Sequence, residues 1–178
     1  LLPASAINIV FDYSYDNGYF SGANAYRRTT LEAAAAVYEQ RLSSALPALN
    51  PNPGIGNTWS LVVLRPDTGV VTSFDNMVLP EATLVIYAGG RDLGSLGGVG
   101  YTGYSYSWGT SNWASLWQNR FSNSSYLSVG GSVSFNINGD FYFDPDPTTL
   151  ETFTQATDFY TLALHEIGHV IGFFLGDV

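Results

Sequence analysis

The sequence predicts an α/β (α+β) layer fold: a mixed sheet backed by one helix and joined by a second. Three observations predict it. A strand-like alternation opens the chain, an amphipathic helix follows it directly, and a second amphipathic helix closes it, with several apolar strand-length runs between.

Ile7, Ile9, Phe11 and Tyr13 alternate with Asn8, Val10 and Asp12, the period of a strand. Asp16-Asn17-Gly18 supplies a turn. Thr29 stands three residues before Glu32, a capping-box pattern. Leu31, Ala35, Tyr38, Leu42 and Ala45 then share one helical face, and Pro47 stops the helix. Residues 50–54 (Asn-Pro-Asn-Pro-Gly) form a loop. The runs 59–64 and 83–88 are rich in Leu, Val and Ile and read as buried strands.

Residues 89–131 hold ten of the 19 Gly and three of the four Trp, and read as a long irregular stretch of the kind that carries function or moves. Val133, Phe135 and Ile137 alternate with Ser132, Ser134, Asn136 and Asn138, predicting a strand with one wet face. Asn138-Gly139 is a two-residue hairpin signal leading into Phe141-Tyr142-Phe143. Asp144-Pro145-Asp146-Pro147 breaks regular structure. A second helix runs from Asp158 to about Phe174, capped by Thr157 or Asp158. Tyr160, Leu164, Ile167, Ile171 and Phe174 form its apolar stripe.

The 178 residues suffice for one domain with a real core. Fifteen acidic and six basic residues, all six Arg, give a net charge of −9. No stretch is basic enough to follow a phosphate backbone, which disfavours nucleic acid and anionic membrane surfaces alike. The absence of Cys excludes disulfides, thiolate metal sites and cysteine catalysis. No apolar run reaches the roughly 18 residues of a membrane-spanning helix. Residues 1–6 have two readings: the tail of a secretory signal with Ala4-Ser5-Ala6 as its cleavage site, or an Ala/Ser-rich terminus.

Any metal site must use carboxylates and the only two His, and both His fall in one motif. His165-Glu166-Ile167-Gly168-His169 has the H-E-x-x-H pattern. Residues four apart on a helix lie one above the other, so both imidazoles reach a single ion. Zinc so held lowers the pKa of water to near 7 and polarises a carbonyl. Glu166, one step round, is placed to take the water proton and pass it to a leaving amine. In this composition the pattern arises by chance on the order of a few times in ten thousand, so it is specific.

The run His165-Glu166-Ile167-Gly168-His169-Val170-Ile171-Gly172-Phe173 resembles the active-site helix of zincin metallopeptidases. Gly172, three residues after the second His, resembles the metzincin branch, where that Gly lets the chain turn toward a third ligand. The element order is similar to the N-terminal subdomain of metzincins. Gly131-Ser132-Val133-Ser134-Phe135-Asn136, ahead of Tyr142-Phe143-Asp144, resembles the last strand before the zinc helix in matrixin-like domains. Residues 87–94 together with 158–165 look like uncharacterised secreted bacterial metalloproteases. The resemblance implies that residues 7–178 are the N-terminal part of a zinc endopeptidase domain, secreted or at the cell surface, with a protein or peptide substrate. It makes His165 and His169 zinc ligands and Glu166 the general base and then acid. The chain departs from metzincins at Leu175, where their third His stands, and it lacks their Met-turn, Met77 lying in another region. In leishmanolysin-like enzymes the third His follows a long insertion, which places that ligand beyond Val178 here. Asp177 is an in-chain substitute. The rival readings are a non-enzymatic secreted binding or surface module with a vestigial zinc helix, and a zinc hydrolase of non-peptide amides or esters.

Three further features have alternative readings. Asp140, Asp144 and Asp146 are either oxygen ligands for Ca²⁺ or a solvated turn. Residues 96–105 are either an edge strand that aligns extended substrate or a mobile loop. Trp113 and Trp117 are four apart and read as the packed face of a short helix, while Trp108 stands with them as a candidate sugar or peptide surface.

Overall fold

The computed structural model describes residues 5–122, 129–144, 146 and 148–173. In chain order the elements are β1 (Ser5–Ala6), β2 (Asn8–Asp12), α1 (Arg27–Arg41), β3 (Ser43–Ser44), β4 (Thr58–Leu64), β5 (Val71–Asp75), β6 (Thr83–Arg91), β7 (Gly98–Thr102), β8 (Tyr104–Trp108), α2 (Ser111–Ser122), β9 (Gly130–Asn136), β10 (Phe141–Tyr142), β11 (Thr157–Asp158) and α3 (Phe159–Val170). The class is mixed α and β, as the sequence predicts.

The central sheet has the order β2-β6-β9-β7. Its first three strands are parallel, and β7 runs antiparallel to β9 at one edge. Helices α1 and α3 pack against each other over one face. Ile9, Ile86, Ala88, Val133 and Phe135 from the sheet meet Leu31, Ala35, Phe159, Ala163 and Ile167 from the helices there. A second sheet, β5-β4-β8, is antiparallel, and its apolar side joins a separate core. Trp59, Leu61 and Val63 of β4 meet Tyr87 of β6, Val129 and Trp113 of α2 in it. The central sheet is therefore covered on both faces, which explains the apolar run of β6.

That double cover corrects the wet face expected of β9. All seven of its residues are buried. The Ser134 hydroxyl donates to the Pro66 carbonyl at 3.0 Å, and the Asn136 amide donates to the Gly94 and Leu96 carbonyls, both at 2.9 Å. Buried polar groups need such partners. The hairpin expected at Asn138-Gly139 is also corrected. A turn forms one residue earlier, with Ile137-Asn138 at its centre and Gly139 N–H donating to the Asn136 carbonyl at 3.1 Å. Both edges of β9 are already paired with β6 and β7, so β10 cannot return along it and pairs in parallel with β11.

Helix α1 begins two residues before the capping-box Thr29, at Arg27. The Arg28 guanidinium donates to the Phe20 carbonyl at 2.7 Å and lies over the Tyr13 ring, while Arg27 lies over Tyr19, so tertiary contacts seat this end. The helix stops at Arg41, short of Pro47, because Ser43–Ser44 pairs with β1. The described residues of the stretch 89–131 hold the end of β6, all of β7, β8 and α2, and the start of β9, and are mostly regular. On α3 the buried stripe is Phe159, Ala163, Ile167 and Val170; Tyr160 and Leu164 are half-buried, and Phe174 lies outside the described residues.

Phe159 joins the layers at the start of α3. It is fully buried, with ring centroids 4.6 Å from Phe135 and 4.5 Å from Phe143. Phe159→Ala is expected to cost about 3–5 kcal/mol of unfolding free energy, read as a lower midpoint in urea; an unchanged midpoint would contradict this packing.

Candidate metal centre

The motif helix is fixed at both ends by local chemistry. Asp158 caps it: Oδ1 accepts from Tyr160 N–H at 3.2 Å, and Oδ2 from Thr161 N–H at 3.0 Å. Of the two expected caps, Asp158 is the one used. At the other end Phe173 N–H donates to the Gly168 carbonyl at 2.9 Å and Gly172 N–H to the His169 carbonyl at 3.2 Å. This pair of bonds is a Schellman closure, which needs a left-handed residue, and Gly172 supplies it with φ +96°.

Between these caps His165 and His169 rise one above the other on the side of α3 away from the core. His165 is exposed and His169 half-buried. Their Nε2 atoms are 2.9 Å apart and the rings stand nearly perpendicular. Two nitrogens sharing a tetrahedral zinc lie roughly 3.3 Å apart, given Zn–N of about 2.0–2.1 Å, so a small ring rotation fits the pair to one ion. One ligand atom from each of His165, Glu166 and His169 lies within 4.8 Å of the others, so the group can hold a metal ion.

Glu166 points from α3 onto the edge strand and is only 5% exposed. Its Oε2 accepts from Gly100 N–H at 2.6 Å. Burial pushes the carboxyl pKa up from its ordinary value, while the Gly100 amide and both imidazoles pull it down. The approach depends on glycine. A Cβ at Gly98 would fall 2.8 Å from Glu166 Cγ, and one at Gly100 would collide with the Glu166 carbonyl oxygen. Two residues further on, the Thr102 hydroxyl donates to the His169 carbonyl at 2.5 Å. On the opposite flank Tyr38 of α1 donates its hydroxyl to the Leu164 carbonyl at 2.7 Å. Leu96, Gly97, Gly98, Val99 and Gly100 face the three motif residues across a cavity of about 410 Å³.

The structure thus brings all three motif residues together and makes Gly98–Thr102, within the 96–105 segment, the edge strand β7, while Tyr104 and Ser105 open β8 of the second sheet. Gly100, Thr102 and Tyr38 escape the sequence reading. The spacing Gly98-x-Gly100 was the available signal, since it leaves one strand face without side chains. Asp140, Asp144 and Asp146 do not converge. Asp144 and Asp146 accept local turn amides, from Asp146 and Thr148, and Asp140 accepts Ala156 N–H from the segment leading into β11; Asp144 is buried, so the cluster is a hydrogen-bonded turn that is only partly open to solvent. Trp113 and Trp117 pack from α2 into the second core, as expected, and Trp108 is 65% exposed on β8. Leu175 and Asp177 lie outside the described residues. No protein-family model, curated protein or solved structure matches the chain.

Gly100→Ala is expected to force α3 away from β7 and to lower the urea midpoint by the equivalent of about 1–3 kcal/mol, as overpacking does; a stability equal to that of the parent protein would refute the close approach.

Proposed function

We propose that the protein is a secreted zinc-dependent endopeptidase. The observation that carries the reading is the convergence of the His165 and His169 imidazoles beside a buried carboxylate, Glu166, in a cavity walled by an edge strand. Zinc held by the two imidazoles would supply a polarised carbonyl and an acidified water.

The chain's own groups divide the remaining work. The Gly100 amide occupies Oε2 of Glu166, which leaves Oε1 to accept the proton of the attacking water. The same carboxyl then passes that proton to the departing amine, so no covalent acyl-enzyme is required. The outer edge of β7 offers main-chain groups to an extended peptide, and its glycines keep that wall low. In this reading the third zinc ligand comes from outside the described residues. Among those residues no helix is long and apolar enough to cross a membrane.

The full-length protein is expected to cleave a peptide library, and 1,10-phenanthroline is expected to abolish the cleavage. Glu166→Ala should lower kcat by about 10²–10⁴ or more while zinc content, read by atomic absorption, stays at the parent level. Turnover retained in that variant would refute the mechanism. Zinc without cleavage of any peptide would favour the binding-module reading, and cleavage confined to small amides or esters the second rival.

A further inference from the structure

The second histidine of the motif sits at a vulnerable place. Helix α3 ends at Val170, so His169 is its penultimate residue, whereas His165 lies a full turn further in. The last turn of a helix frays, and its carbonyls have no partner within the helix. The i, i+4 stacking of the imidazoles exists only while that turn keeps helical geometry. The structure meets this with two donors on one acceptor. The His169 carbonyl receives Gly172 N–H from the closing turn and the Thr102 hydroxyl from the sheet.

We propose that Thr102 is a positioning residue for the metal centre. Its hydroxyl ties the carbonyl of the second ligand to the edge strand and thereby sets where the His169 imidazole stands relative to His165. The inference rests on the zinc reading above and adds a residue to it.

The anchor is rigid enough for the task. Thr102 is the last residue of β7 and is paired in register with Gly131 of β9, itself a buried strand. Two residues earlier on the same strand, Gly100 N–H holds the Glu166 carboxylate. One strand thus sets both the base and the backbone of the second ligand, with a spacing of two that matches one face of a strand. Tyr38 holds Leu164, next to the first ligand, from α1. Thr102 holds the His169 carbonyl from the other side, through β7. Groups that orient a metal ligand from behind commonly change metal affinity by 10–100-fold when removed.

The test uses the full-length protein with Zn²⁺ and Co²⁺ as probes. Thr102→Val keeps the shape and removes the hydroxyl; Thr102→Ser keeps the hydroxyl. Thr30→Val serves as a control, because the Thr30 hydroxyl donates to the Asp144 carbonyl at 2.9 Å in a buried position away from the motif. Zinc affinity is read by chelator competition and ligand geometry by the visible spectrum of the Co²⁺ form. Thr102→Val is expected to bind zinc about 10-fold more weakly and to shift the Co²⁺ bands, with kcat falling more than KM changes. Thr102→Ser should restore affinity and spectrum, and Thr30→Val should leave both within about twofold of the parent. Parent-like affinity and spectrum in Thr102→Val would overturn the inference while leaving the zinc reading intact. So would failure of Ser to rescue, or an equal loss in Thr30→Val. A parent protein that takes up neither metal would overturn the zinc reading and the inference together.

Discussion

Docking α3 against β7 buries a carboxylate, and much of the local architecture follows from making that burial tolerable. A charge with so little contact with water needs a donor and nearby positive or polar groups. Glu166 finds its donor in the main chain of an edge strand, at Gly100, and its polar neighbours in the two imidazoles of its own helix. A strand in the middle of a sheet has no amide to spare. Only an edge strand offers one, and only a strand without side chains on the facing side lets a helix come close enough to use it. The order β2-β6-β9-β7, with β7 outermost, is therefore a condition of the site and not merely its setting.

The same condition reaches back into the core. β7 is held by β9, and β9 is buried on both faces because the second sheet covers the side that α1 and α3 do not. Asn136, at the end of β9, ties down the carbonyls of Gly94 and Leu96 just ahead of β7. A polar residue inside the protein thus fixes the approach to the edge strand. At the other end of the helix, pairing of β10 with β11 leads directly into the Asp158 cap. The helix is seated from the strand side, from α1 and from its own caps.

What the sequence reveals divides along the range of the interaction. The motif helix is legible because its determinants are local: a capping Asp158, a closing Gly172 and two His at helical spacing all act within a turn or two. Buried strands such as β4 and β6 are legible from their apolar runs. β9 misleads because its Ser and Asn look like a wet face, while their partners, Pro66, Gly94 and Leu96, are distant in sequence and main-chain atoms without a side-chain signature. The Asn138-Gly139 signal finds a turn to within one residue and is silent about the pairing, since which strands already occupy β9 is a property of the whole sheet. Helix α1 starts where Arg27 and Arg28 reach aromatic rings and the Phe20 carbonyl, and those contacts outrank a capping pattern two residues later.

The candidate site shows the same division at closer range. Helical geometry alone stacks His165 over His169 and accounts for two metal-binding nitrogens with no help from the rest of the fold. It does not decide where Glu166 points, because a residue one step round a helix has several rotamers open to it. That choice is made by β7, through one amide and the absence of two side chains. Nor does helical geometry protect the last turn, where His169 stands. The Gly172 closure and the Thr102 hydroxyl do so, one from within the chain's own continuation and one from the sheet. The motif supplies the chemical groups, and the glycine-bearing edge strand turns them into an arrangement.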